Sequence, residues 1–122
     1  MSNSINWFAI PTSDFPRAVK FYNAILGQEL HVMKMAESDL AFFPAEQGSV
    51  SGHLFKAEPF EPSDKGVLIY LNGGDNLQPI LDRVETAGGK VVAEKRQVTQ
   101  EIGYVAEFLD TEGNKVALHS PN

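Results

Sequence analysis

Val67-Leu68-Ile69-Tyr70-Leu71, then Gly73-Gly74-Asp75, then Leu77, Ile80, Leu81, Val84 and Ala87 closing at Gly88-Gly89, is the stretch on which the fold is decided. A β-branched and aromatic run reads as a strand, and an apolar stripe at helical spacing reads as a helix with Asp75 as its cap. The same succession stands earlier in the chain. Ile5 to Ile10 reads as a strand, Pro11-Thr12-Ser13-Asp14 supplies a helix cap, and Pro16 suits a first turn. Ala18, Val19, Tyr22, Ile25 and Leu26 then form an apolar face opposite Arg17, Lys20 and Asn23, up to Gly27. Asp14 and Asp75, like Gly27 and Gly88, stand 61 positions apart, which marks an internal duplication. Working outward, Glu29–Met35, Asp39–Pro44 and Ser49–Lys56 read as strands after the first helix. Val91-Val92-Ala93, Gly103–Leu109 and Lys115–Ser120 follow the second, with Asp110-Thr111-Glu112-Gly113-Asn114 as a hairpin loop. Each half is β-α-β-β-β, an α+β unit whose open sheet needs the other half to cover it. The expected modules run over about 1–57 and 66–122 of a single domain 1–122, joined by a polar connector at 58–65 broken by Pro59 and Pro62, in which nothing suggests chemistry.

A chain of 122 residues, 43% hydrophobic, is long enough for a core with a ligand cleft. Ten Lys and Arg against sixteen Asp and Glu give a net charge of −6, which argues against nucleic acid and for a neutral or cationic small molecule. The absence of Cys excludes disulfides, thiol nucleophiles and thiolate metal sites, and leaves three His as nitrogen ligands. No apolar run reaches membrane-span length, and Met1 to Asn6 lacks the charge and apolar stretch of a signal peptide, so the expected compartment is the cytoplasm, with no membrane partner.

Together, Trp7-Phe8-Ala9-Ile10-Pro11 with Ser13-Asp14, Arg17-Ala18, Phe21-Tyr22 and Leu26-Gly27, then Gly66 to Leu71, Ala87 to Val92, and Asp110 to Ser120, resemble the glyoxalase, bleomycin-resistance and extradiol-dioxygenase superfamily, also called the vicinal oxygen chelate fold. The likeness is greatest to small members labelled as related to lactoylglutathione lyase. It implies two tandem βαβββ modules whose curved sheets form a cleft, often completed by a homodimer. Enzymatic members use a divalent metal to polarise adjacent substrate oxygens. Carried onto this chain, the family's ligand positions fall on Trp7, Val67, Ala117, and either Gly52 or His53. Three of these four side chains offer no lone pair for a metal, so the expectation is no metal and no cofactor.

His53 is a candidate ligand or base on a strand. His119 shares a strand face with Ala117 and is a candidate binding or acid/base residue. His31 is expected on an outer face. Trp7 offers a surface for stacking an aromatic or cationic group, Tyr104 a hydroxyl, and Val67 and Ala117 an apolar lining. Tyr70 alternates with Val67 and Ile69 and is expected to point away from the cleft. A rebuilt metal site would combine His53, His119 and Glu107, but the hairpin register leaves Glu107 and Phe108 undecided. Three functions follow from these residues. The first is a metal-independent binder of a hydrophobic or cationic small molecule in a Trp-lined cleft. The second is a lyase, isomerase or dioxygenase-like enzyme using His119 or His53, and the third an accessory protein acting through a partner.

Overall fold

Helix α1 (Phe15–Leu26) forms where its end signals stand. The Asp14 carboxylate accepts the Arg17 N–H at 3.1 Å, and Gly27 closes the helix at φ +69°, its N–H returning to the Asn23 carbonyl. In the computed structural model, which describes residues 3–35 and 38–122, Met1 and Ser2 of the expected first module lie outside the described residues. The remaining elements are β1 (Trp7–Pro11), β2 (His31–Lys34), β3 (Asp39–Phe42), β4 (Ser51–Phe55), β5 (Tyr70–Asn72), α2 (Gln78–Arg83), β6 (Lys90–Thr99), β7 (Gly103–Leu109) and β8 (Lys115–Ser120). Two four-stranded sheets result, ordered β1-β4-β3-β2 and β5-β8-β7-β6. In each, the first strand runs parallel to the last and the other pairs are antiparallel, so the duplication seen in the sequence is a duplication of topology.

The second module departs from expectation at its start. Its first strand begins at Tyr70 rather than Val67, because pairing with β8 begins at Tyr70 opposite Ala117. Asp75 does not cap α2. The N-cap position falls on Leu77, and the residue before it, Asn76, accepts the Gln78 N–H on its side-chain oxygen at 3.0 Å, while the Ser120 hydroxyl accepts the Leu77 N–H. Regular helix ends at Arg83, since Val84 and Gly88 bond to carbonyls three residues back rather than four. Strand β6 is longer than the Val91–Ala93 segment and carries register shifts against β7.

One core joins both modules. Ile10, Ala41 and Leu54 from the first sheet, Ala106, Phe108, Val116 and Leu118 from the second, and Phe21, Tyr22, Ile25, Leu77 and Leu81 from the helix segments belong to one buried cluster. Phe21 packs 5.9 Å from Phe108, and Tyr22 lies 5.3 Å from Phe43 just past β3. Full burial of such side chains is worth about 1.5–3 kcal/mol each before conformational entropy is set against it. Among the described residues, no helix is long and apolar enough to cross a membrane.

Candidate functional site

Strand alternation leaves each sheet with one face turned away from that core. In the first sheet Ile10, Ala41 and Leu54 point inward, so Trp7, Ala9, Phe42, His53 and Phe55 share the opposite face. Register places His31, Phe42, His53 and Ala9 in one row across the four strands. The rings meet edge to face or tilted: Trp7 lies 5.9 Å from Phe42 and 6.0 Å from His53, Phe42 5.8 Å from His53, and His53 5.7 Å from Phe55. Phe60 extends the array at 5.3 Å from Phe55, and His31 flanks Phe42 at 6.4 Å. Within the array Trp7 Nε1–H donates to His53 Nδ1 at 2.8 Å. Partial burial lowers the His53 pKa below its ordinary value, which keeps the ring neutral and able to accept. The late strand of the first module thus presents His53, and Gly52 points inward, where a Cβ would collide with the Phe8 backbone and ring.

In the second sheet Tyr70 pairs with Ala117 and Asn72 with His119, and Ala117 in turn faces Glu107 and His119 faces Val105. These six share the outward face, whereas Phe108 is fully buried in the core. Glu107 is held by Arg96 at 3.1 Å. The His119 Nε2–H donates to the Ile102 carbonyl at 2.6 Å, so Nδ1 of a neutral ring carries the lone pair. His119 opens on a hollow of about 710 Å³ lined also by Tyr70, Asn72, Val98, Ile102 and Val105. Both neutral imidazoles are therefore held as the Nε2–H tautomer, His53 with its Nδ1 lone pair engaged by Trp7 and His119 with its Nε2–H engaged by a carbonyl.

Several residues stand elsewhere than the sequence places them. Tyr70 lies on the outward face beside Ala117, because β5 pairs one register away from the expected frame. Val67 precedes that strand and is 90% exposed, off this face. Tyr104 pairs with Ser120 and packs against the core, with Lys95 Nζ 4.8 Å from its ring centre, so its hydroxyl is not on the His119 face. His31 is exposed on the outward face of the first sheet, where it joins the aromatic row. Phe60, in the connector that carried no sign of chemistry, contributes a ring, and Phe42 and Phe55 complete the array; period-two alternation from His53 was the signal for Phe55, whereas Phe42 is placed by cross-strand register. His53 stands on the first sheet and His119 and Glu107 on the second, and among the described residues no three metal-ligating side chains gather. Of the family's ligand positions only His53 offers a donor, and its Nδ1 lone pair is taken by Trp7. These residues do not fit a divalent metal of the family's kind.

The hairpin loop that carries the resemblance is built for structure. Asp110 accepts the backbone N–H groups of Glu112 and Asn114, the Tyr22 hydroxyl at 2.8 Å and the Asn114 amide, and Asn114 reaches the Pro11 carbonyl. Glu112 accepts from Arg17 and from the Ser13 and Asp14 N–H groups, tying the loop to the start of α1. A further hollow of about 680 Å³ lies where the modules meet, lined by Phe8, Phe43 and Val50 from one and Ile69, Leu71 and Ile80 from the other.

Comparison with solved structures places the chain among proteins of this architecture. A glyoxalase/bleomycin resistance protein from Albidiferax ferrireducens superposes with a TM-score of 0.74 at 14% identity, covering 95% of this chain and 97% of that one. TnmS3, an antibiotic binding protein from Streptomyces, gives 0.65 at 23% identity over 100% and 99%. A mutant glyoxalase I from Zea mays gives 0.71 at 20% identity, covering 94% of this chain but only 45% of the maize protein, so the chain spans less than half of that enzyme. No curated protein matches the chain. The profile described as the Glyoxalase/Bleomycin resistance protein/Dioxygenase superfamily matches residues 4–118, and the chain belongs to that superfamily.

Proposed function

We propose that the protein binds a hydrophobic small molecule without a metal, on the aromatic face of its first sheet. The carrying observation is the array Trp7–Phe42–His53–Phe55–Phe60, a run of rings at 5.3–5.9 Å spacing left outside the core. Large apolar groups stand exposed on both outward faces, among them Trp7, Tyr70, Val98 and Ile102. That pattern fits a homodimer that covers these exposed faces, a state readable by analytical ultracentrifugation as twice the chain mass. The description of TnmS3 as an antibiotic binding protein supports capture without chemistry as a use of this fold.

Trp7 is the chain's one tryptophan, so intrinsic fluorescence reports this face alone. A thermal-shift screen of aromatic small molecules is expected to yield ligands that change Trp7 emission and lose at least about tenfold in affinity in Trp7→Ala, the scale of a buried ring contact. Unchanged affinity of every ligand in that variant would refute the aromatic site. A second reading rests on His119: its bare Nδ1 in an apolar hollow beside Tyr70 and Asn72 is the base form of the ring. It requires turnover of a bound carbonyl or hydroxy compound that disappears in His119→Ala.

A further inference from the structure

Indole has a single polar atom and that atom can only donate. The nitrogen of His53 facing Trp7 Nε1 at 2.8 Å must therefore be the unprotonated one, and the contact is to Nδ1. A neutral imidazole carries one proton, so it sits on Nε2, on the far side of the ring from Trp7. Among the described residues Nε2 donates to no group, although His53 stands in the middle strands of the sheet with Phe42 on one side and Phe55 two residues along. The face around it is aromatic and aliphatic: Trp7, Ala9, Leu40, Phe42, Ser51 and Phe55 share it by register, and no carboxylate does. A cation bound here would therefore meet an N–H donor and no counter-charge from this sheet.

From this placement we infer that His53 is a dedicated hydrogen-bond donor, and that the ligand of the aromatic face is a neutral, flat aromatic molecule bearing an acceptor such as a ring carbonyl. The inference rests on the reading of this face as the binding site and adds the ligand's chemistry to it. Trp7 then acts twice, as a stacking wall and as the group that fixes which nitrogen of His53 is protonated. Replacing Trp7 by Phe keeps the wall and removes the constraint.

Three probes of similar shape separate the possibilities in the intact protein: 9-fluorenone, with a carbonyl; fluorene, with a methylene in its place; and N-methylacridinium, a cation. Affinities are read by NMR titration, and the His53 tautomer by its ring ¹⁵N shifts. The expected result is that fluorenone binds about fivefold to tenfold tighter than fluorene, the worth of one neutral hydrogen bond. That ratio should fall toward one in His53→Ala and by about twofold or less in Trp7→Phe, with the wild-type ring protonated on Nε2 and Trp7→Phe shifting the ¹⁵N pattern toward a tautomer mixture. Equal affinity for fluorenone and fluorene, tightest binding of the acridinium, or a His53 ring protonated on Nδ1 each overturns the inference while leaving an aromatic binding face in place. Failure of all three probes to bind overturns the binding reading and this inference with it.

Discussion

A glutamate that accepts hydrogen bonds from several donors titrates below its usual 4.5, and Glu112 does so although burial pulls the other way: Arg17, the Asp14 and Ser13 N–H groups and the Thr111 hydroxyl all favour its charged form. Burial acts unopposed enough at Asp110 to raise that carboxyl, despite bonds from Tyr22 and Asn114. The two carboxylates have opposite signs in a pH titration of stability. Glu112, depressed, contributes above its ordinary value and loses the contribution as pH falls through the lowered one; Asp110, raised, contributes at low pH and loses it as pH rises through the raised one. Glu112→Gln is therefore expected to cost about 1–2 kcal/mol at pH 7 and progressively less as pH falls through the lowered value, measured by urea unfolding across that range. A constant difference across that range would mean that Glu112 acts through shape and not charge. At the same scale, Trp7 and His53 show how one donor-only atom decides the state of a neighbour that pH alone would leave ambiguous.

At the scale of elements, β1 and β4 approach so closely that Gly52 has no room for a side chain. A methyl there would meet the Phe8 carbonyl and ring, so Gly52→Ala is expected to destabilise by about 1–3 kcal/mol as overpacking, visible as a lowered Tm. A Tm equal to the wild type would show that β1 can shift away from β4. Helix α1 and the strands β7 and β8 were legible because their signals are local: an Asp cap, a helix-ending Gly, period-two alternation and a Gly-bearing hairpin loop. The start of β5 was not, since Val67, Leu68 and Ile69 have strand propensity and only pairing with β8 decides where the ladder begins. That one misplaced start put Tyr70 on the wrong face. Asp75 is a good cap by composition, but α2 starts late enough that its cap position falls on Leu77. Tyr104 was lost for the same reason as Tyr70, because a register is a long-range property.

For the whole molecule, the superfamily and the duplicated topology were readable from the sequence, and what the structure adds is which faces stay open. Both sheets give their inward residues to a shared core and leave aromatic and aliphatic groups outside it. No carboxylate shares the aromatic face by register, which moves the expected guest from cation toward neutral. The central claim is binding by an aromatic face that needs no metal. It is tested most directly by titrating chelator-treated protein with 9-fluorenone, following Trp7 emission corrected for probe absorbance, before and after adding excess Mn²⁺, Ni²⁺ or Zn²⁺. The account predicts saturable binding with the same Kd in every case. Binding that appears only with a metal present, or that strengthens by tenfold or more on its addition, would contradict it.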